Sequence, residues 1–397
     1  MNDVKTPEVV LARYGELWLK GRNRIEFERC LARNTRRALK QVAPEAAVER
    51  EHGILVIRAG EQTREATQRL LDVFGFSSLS AARGCDHAFE SIARTGAEEM
   101  RATLARWPSR DPIPFRVETR RSDKRFPKTS VELDREIGDC VMVEFGERLK
   151  VNLTKPELTL GINIRPERVY VYSERLRGAG GLPVGSVGRV VSLFSGGIDS
   201  PVATWMAMKR GLQVVFSSFH SYPYVGQGFI QKATKLARRV AHFQNSGVLY
   251  ATPLTKIQEA IRDAAPPGYR TVLYRRAMQR IATRIANKEE ARALVTGESV
   301  GQVASQTLEN IHCIQDVSPL PVLRPLIAFD KAETIALAKQ IGTFELSIQP
   351  EPDCCTVFQP KHPALRARTE VCDDVEAGLE MAEMEEEALA ATETISL

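Results

Sequence analysis

The stretch Val190–Ser200, VVSLFSGGIDS, constrains this chain more than any other. Val190–Phe194 has the apolar character of a short buried strand, and it runs straight into Ser195, Gly196 and Gly197. A helix is expected from about Pro201 to Lys209, because proline is compatible with a first helical turn, where a missing N–H costs little. Strand, glycine turn and helix in that order make an anion cradle. The glycines allow close approach of the backbone, and the helix start aims free N–H groups at the same point. Ser195 and Ser200 add hydroxyl donors. Asp199 is the discordant residue, because a carboxylate beside a phosphate nest is repulsive unless a cation lies between them. The combination points to a nucleotide phosphate with a bound Mg²⁺.

No G-x-x-x-x-G-K-[ST] and no G-x-G-x-x-G occurs in the 397 residues, so neither a Walker A loop nor a dinucleotide fingerprint is present. The plain alternative is a glycine turn between a core strand and a helix, with serines as caps. SGGIDS instead resembles the pyrophosphatase loop of enzymes that cleave ATP to AMP and pyrophosphate and place the AMP on a substrate oxygen.

The length allows two or three domains, and no apolar run approaches the ~18–20 residues of a membrane span. The N-terminus lacks a basic region followed by an apolar segment, so no secretory signal is read and a cytoplasmic protein is expected. Seven cysteines at positions 30, 85, 140, 313, 354, 355 and 372 are odd in number and irregular in spacing. That pattern fits a reducing compartment better than a disulfide framework. No C-x-x-C pair is written. Net charge is +5, but residues 1–180 carry 33 Lys/Arg against 27 Asp/Glu, and residues 181–369 carry 22 against 13. Residues 370–397 carry no basic residue and 10 acidic ones. Two basic blocks suit a phosphate-backbone partner or a solvated surface, and the last block reads as an acidic, helix-prone tail.

Taken in order, Glu8–Tyr14 reads as a strand. Ile25–Val42 reads as a helix with Phe27, Leu31, Ala38 and Leu39 on one side and Arg29, Arg33, Arg36, Arg37 and Lys40 on the other. Strands at 48–50 and 54–58 complete a small α+β unit, 1–62. Helices at 63–74, 89–106 and 130–145, with Ser130 as a cap, and strands at 114–120, 158–164 and 169–173 make a second α+β unit, 63–176. Val131, Ile137, Val141 and Val143 are read as the apolar positions of the helix at 130–145. Between its first strand and that helix, Arg120, Arg121, Lys124, Arg125 and Lys128 form the densest positive cluster of the chain, with Phe126 beside it as a base-stacking or packing residue. The glycine-rich segment 177–188 reads as a linker. From 189 to 369 strands alternate with helices, which implies a parallel sheet with ligands at its carboxyl ends. SGGIDS, the SFH at 218–220 and the GES at 297–299 all fall at such ends. Residues 370–397 follow as the tail. The fold class is therefore α/β and α+β multidomain.

Six strings now agree in order: YGELWLKGRNRIEFE (14–28), FRVETRRSDKRFP (115–127), LFSGGIDSPVA (193–203), TGESVGQVASQTLEN (296–310), RPLIAFDKAE (324–333) and PEPDCCTVFQPKHP (350–363). Together they resemble the tRNA 4-thiouridine synthase, or tRNA sulfurtransferase, family, over residues 8–363. The resemblance implies an N-terminal ferredoxin-like domain, a THUMP RNA-binding domain and a pyrophosphatase-loop domain. It implies that Ser195, Gly196, Gly197, Asp199 and Ser200 hold the phosphates of ATP and Mg²⁺. It also implies that Leu193, Phe194, Ser218, Phe219, Arg275, Gly297 and Gln306 contact the nucleotide, although core packing is the plain reading of Leu193, Phe194 and Phe219. The basic cluster at 120–128 would bind tRNA.

The expected reaction adenylates O4 of uridine at tRNA position 8 and replaces it with sulfur. The sulfur is carried by a cysteine of DCCTVF: Cys355 fits the family position best, and Cys354 is the neighbour that substitutes or resolves. Such a cysteine is reactive as thiolate or persulfide. The family also implies a cysteine desulfurase as sulfur donor, sulfur supply to a thiamine sulfur-carrier protein, and a homodimer. The chain is read as the short form, without the rhodanese-like domain of some members. An iron–sulfur cluster is the minor case, with Cys313 and Cys354 or Cys355 as candidate ligands. Cys30, Cys85 and Cys140 are read as core, and Cys372 as an incidental thiol. The competing readings are a different pyrophosphatase-loop tRNA thiolation and a sulfur-relay protein that binds RNA without modifying it.

Overall fold

Runs of β-branched and aliphatic residues build two separate sheets. The computed structural model describes residues 7–107, 112–226, 228–351 and 357–397. The chain divides into two units, Met1–Gly181 and Leu182–Leu397.

The first unit contains β1 (Val9–Arg13), β2 (Ala47–Glu51), β3 (Ile54–Arg58), β4 (Ser78–Cys85), β5 (Ile113–Arg121), β6 (Leu149–Val151), β7 (Leu158–Ile164), β8 (Val169–Tyr172) and β9 (Leu176–Arg177). Its main helices are α1 (Arg24–Leu39), α2 (Thr63–Leu70), α3 (Phe89–Leu104) and α4 (Ser130–Phe145). The strand order is β2-β3-β1-β4-β8-β7-β5-β6, with β9 beside β4. β4 is absent from the sequence reading, yet it pairs antiparallel with both β1 and β8. Its residues, SLSAARGC, have little β-branched character, so only burial between neighbours marks it as a strand. Through it, the strands of the two stretches read as 1–62 and 63–176 share one sheet.

Helix α1 buries Leu31, Ala38 and Leu39 and exposes Arg29, Arg33, Arg36, Arg37 and Lys40, as its periodicity requires, while Phe27 is half-buried. Helix α4 is capped by Thr129, not by Ser130. The Thr129 hydroxyl accepts from the Glu132 N–H and the Glu132 carboxylate accepts from the Thr129 N–H, an arrangement worth about 1 kcal/mol. Leu133, Ile137 and Val141 face the core, whereas Val131 and Val143 are exposed. Cys140 is exposed on the same helix, against its reading as core.

The second unit contains β10 (Gly188–Leu193), β11 (Leu212–His220), β12 (Val248–Pro253), β13 (Leu294–Val295), β14 (Val322–Leu323) and β15 (Glu393–Ser396), in the order β14-β13-β10-β11-β12-β15. All pairs are parallel except β12–β15. The helices are α5 (Asp199–Lys209), α6 (Gly228–Ala241), α7 (Thr255–Ala264), α8 (Arg270–Lys288), α9 (Leu308–Gln315), α10 (Lys331–Gln340), α11 (Phe344–Ser347), α12 (Thr369–Ala377) and α13 (Met381–Ala390). Val190, Val191 and Ser192 of β10 are buried, as are Val214, Val215 and Phe216 of β11, the pattern of strands covered on both faces.

Residues 370–397 are not a tail. α12 and α13 pack on α7 and α8, burying Cys372, Met381, Met384 and Ala388 in the main core cluster. β15 then closes the sheet edge. Charge explains the docking: Arg276 and Arg280 of α8 donate to Glu376 at 2.8 and 2.7 Å, Arg280 donates to Glu385 at 2.6 Å, and Arg284 pairs with Glu386.

Candidate active site

Strand order places the site. From β10 the chain passes to β11 and β12 on one side, then returns to β13 and β14 on the other. Loops leaving the carboxyl ends of β10 and β13 therefore part in opposite directions and leave a crevice. A cavity of about 290 Å³ opens there. Of the residues expected at a nucleotide, Leu193, Phe194, Ser195, Gly197, Asp199, Ser200, Phe219, Arg275, Gly297 and Gln306 line it. Gly196 lies in the loop but outside the lining. Ser218 precedes Phe219 on β11 and so faces the other side of the sheet, with its Oγ buried and unpartnered.

The loop is folded by its own serines. The Ser195 N–H donates to Ser200 Oγ at 2.9 Å, the two hydroxyls are 3.1 Å apart, and the Gly197 N–H points at Ser195 Oγ at 3.3 Å. Helix α5 begins at Asp199, two residues before the expected Pro201. Gly297 presses on this turn from the neighbouring strand end. A Cβ there would lie 2.7 Å from Ser200 N and 2.8 Å from the carbonyl carbon of Asp199. At Gly196 and Gly197 the nearest protein atoms would be at 3.4 Å, so the protein itself leaves room for a side chain on those two residues.

Charged side chains the sequence reading left without a role complete the site. Lys331, at the start of α10, donates to Asp199 Oδ1 at 2.7 Å, and Gln302 Nε2 donates to Oδ2 at 3.1 Å. Glu298, 5% exposed, accepts from Arg275 at 2.9 Å, from Arg324 at 2.7 Å and from the Thr296 hydroxyl at 2.9 Å. One buried carboxylate thus fixes two guanidinium groups, and Arg275 is held against the cavity. Gln279 and Gln306 also line it, and each keeps a buried amide oxygen with no partner among the described residues. Buried acceptors without a protein partner are ordinarily met by water, an ion or a ligand. Lys331, Glu298, Arg324 and Gln302 all fall within strings that carried the family resemblance, but polar residues in loops have no periodicity that reveals a partner.

Family models match in three consecutive blocks: a ThiI ferredoxin-like domain at residues 9–80, a THUMP domain at 98–174, and the thiamine biosynthesis protein ThiI at 185–381. A probable tRNA sulfurtransferase of Brevibacillus brevis is 41% identical over 97% of this chain and 95% of its own length. Its counterpart in Moorella thermoacetica is 40% identical over 98% and 97%. The chain belongs to the tRNA sulfurtransferase family. A crystal structure of a 4-thiouridine synthetase–RNA complex with bound ATP superposes with a TM-score of 0.90 at 36% identity, covering 98% of this chain and 99% of that one.

The other residues that the tRNA sulfurtransferase resemblance singles out are distributed as follows. Cys354 and Cys355 lie outside the described residues. Cys313 is buried and its thiol donates to the Ala367 carbonyl at 3.1 Å. Cys372 is fully buried, and burial pushes its thiol up to about 12. Burial likewise raises the Cys85 thiol to about 11 and raises that of Cys30. Among the described residues no group of three or more His, Cys, Asp or Glu is arranged to hold a metal ion. In the basic cluster, Arg120 donates to Glu118 at 2.8 Å, Arg125 to Asp123 at 2.8 Å, and Lys128 pairs with Glu136. Arg121 spends its guanidinium on the carbonyls of Phe126 and Lys128, at 3.2 and 2.6 Å. Phe126 is half-buried and packs on the core beside His87. Lys124 is exposed, without a side-chain partner among the described residues. Three of the five cations are thus paired with carboxylates close by in the sequence.

Proposed function

We propose that this chain catalyses ATP-dependent sulfur transfer to tRNA, attaching AMP to O4 of the uridine at position 8 and replacing that oxygen with sulfur to give 4-thiouridine. The observation that carries the reading is the cavity at the end of β10. A glycine loop left open by the protein, a helix start, and two buried unpartnered amide oxygens meet there, in a chain that matches an ATP-bound 4-thiouridine synthetase along its whole length. The Gln279 and Gln306 amide oxygens suit the exocyclic amine of adenine. The loop N–H groups, Arg275 and Lys331 suit the phosphates.

ATP supplies the chemistry of a good leaving group at O4. The chain's own part is to hold charge still. Glu298 fixes Arg275 before the substrates arrive, so the developing phosphate charge meets a donor that needs no reorganisation, an effect typically worth ~10²–10³ in rate per donor. Asp199 carries one carboxylate, bonded to Lys331 and Gln302. That donor set fits a Mg²⁺ held mainly by phosphate oxygens rather than a protein cage, and such an ion would neutralise charge on the phosphates. Sulfur is carried by Cys355, with Cys354 beside it. The deeply buried Cys313 and Cys372 suit no such role.

tRNA is held through phosphate contacts by Lys124, by Arg120 and Arg125 once their surface pairs open, and by the arginine face of α1. Such surface pairs cost only about 0–1 kcal/mol to break. Arg121 and Lys128 shape that loop. The proposal extends, on the family alone, to a cysteine desulfurase as sulfur donor, a homodimer and a cytoplasmic setting. No helix among the described residues is long and apolar enough to cross a membrane. A second reading, sulfur supply to a thiamine sulfur-carrier protein, is favoured by the name of the family matched at 185–381.

One reaction tests the proposal. Protein, unmodified tRNA, Mg-ATP, a cysteine desulfurase and cysteine are combined, and the tRNA is digested for mass spectrometry. The expected result is an ATP-dependent 4-thiouridine peak that falls more than about 100-fold in Cys355→Ser, with pyrophosphate release on adenylation retained. AMP release without any thionucleoside in the wild type would move the acceptor elsewhere. Loss in Cys354→Ser alone would move the sulfur to that neighbour.

A further inference from the structure

We propose that a second cavity, which shares two wall residues with the nucleotide cavity, receives the acceptor uracil. The inference rests on the thiolation reading above and adds the substrate subsite that reading lacks. The cavity measures about 190 Å³ and lies at the start of α8, with Thr271 on that helix, Ser305 in the loop after β13 and Ala364 on the segment before α12. Arg275 and Val303 line both cavities. The chemistry demands such a partition. O4 of the base must reach the α-phosphate, so the base has to bind beside the nucleotide, and Arg275, held by Glu298, lines both cavities.

The second cavity is built, not incidental. Asn310 is fully buried, and its Nδ2 donates to the carbonyls of Ala304 and Ala364, each at 2.7 Å. Its Oδ1 accepts from the Ala367 N–H at 2.9 Å. One side chain therefore ties the two walls together with both of its N–H donors in use. Val272, Val303, Ala304 and Pro363 offer apolar surface to the faces of a flat ring. Thr271, Ser305 and Gln359 are polar wall residues, and the Thr271 Oγ1 is buried without a partner among the described residues. A hydroxyl both donates and accepts, which suits a pyrimidine edge where an N–H adjoins carbonyl oxygens. A uridine fixed in folded tRNA reaches such a pocket only when turned out of its stack, as enzymes acting on bases require.

The test uses the full chain and the product tRNA, because 4-thiouridine crosslinks to neighbouring protein on near-ultraviolet irradiation. The expected crosslink maps by mass spectrometry to residues 268–275, 303–305 or 363–364. In parallel, Thr271→Val and the cavity-filling Ala364→Leu are expected to lower kcat/KM for thiolation at least tenfold. KM for ATP and Kd for tRNA should stay within twofold, and Thr271→Ser should restore most of the loss. A general structural defect would move all three quantities together. A crosslink elsewhere or none, or wild-type kcat/KM in both variants, overturns the subsite. Wild-type protein that thiolates no tRNA overturns the underlying reading, and the subsite with it.

Discussion

At the residue scale, glycines divide into those the protein requires and those it merely permits. Gly297 is required: a methyl group there would meet the Ser200 nitrogen at 2.7 Å and the Asp199 backbone beside it. Both contacts are to backbone, so neither can rotate away. Gly297→Ala is expected to push the Ser195–Ser200 turn out of place and weaken ATP binding at least tenfold, with the circular dichroism spectrum unchanged. Calorimetric titration with Mg-ATP checks this, and wild-type affinity would mean that the turn yields without cost. Gly196 and Gly197 meet nothing closer than 3.4 Å, so their need for glycine lies on the open side of the loop. The cysteines divide in the same way. Burial sets Cys30, Cys85, Cys313 and Cys372 apart from redox or transfer chemistry.

At the element scale, the acidic segment 370–397 shows how charge becomes structure. Helix α8 carries Arg276, Arg280 and Arg284 at successive four-residue steps, on one face. That face is covered by Glu376, Glu385 and Glu386 of α12 and α13. Burial alone would raise the Glu376 carboxyl, but hydrogen bonds from Arg276 and Arg280 hold it below the usual carboxylate range. A carboxylate depressed in the folded state contributes stability that is present above its unfolded pKa, ~4.3, and lost as the pH falls through the folded value. Glu376→Gln is therefore expected to cost about 3 kcal/mol at neutral pH, the scale of a broken buried pair. Thermal melts of the two proteins should differ by a constant interval from pH 7 to 5 and converge below about pH 4.3. An interval that persists into acid would mean that shape, not charge, holds α12.

At the scale of the whole molecule, each unit has its own sheet and its own core. The nucleotide cavity is lined entirely by the second unit. A fragment of residues 182–397 is expected to unfold cooperatively and to bind Mg-ATP within about threefold of the full chain, and to lose affinity for tRNA. Chemical denaturation followed by titration with ATP and with tRNA tests this. Retained tRNA binding would place the RNA contacts on the second unit and take them from Lys124 and the α1 face.

The family resemblance, not periodicity, named Arg275, Gly297 and Gln306, which line the cavity beside the loop residues. The sequence by itself determined the strand–loop–helix at 190–209 and the parallel sheet that follows. These are local facts: alternating and continuous apolar runs fix strands, and a glycine turn before a helix fixes where an anion meets N–H groups. Only the tertiary structure decided the rest. β4 is a strand because β1 and β8 flank it, despite a composition that favours none. Lys331 reached Asp199 across 132 residues, and the acidic end became part of the core. Each depends on pairing between residues far apart in the chain, and periodicity carries no information about which distant group a charge or a strand edge will find.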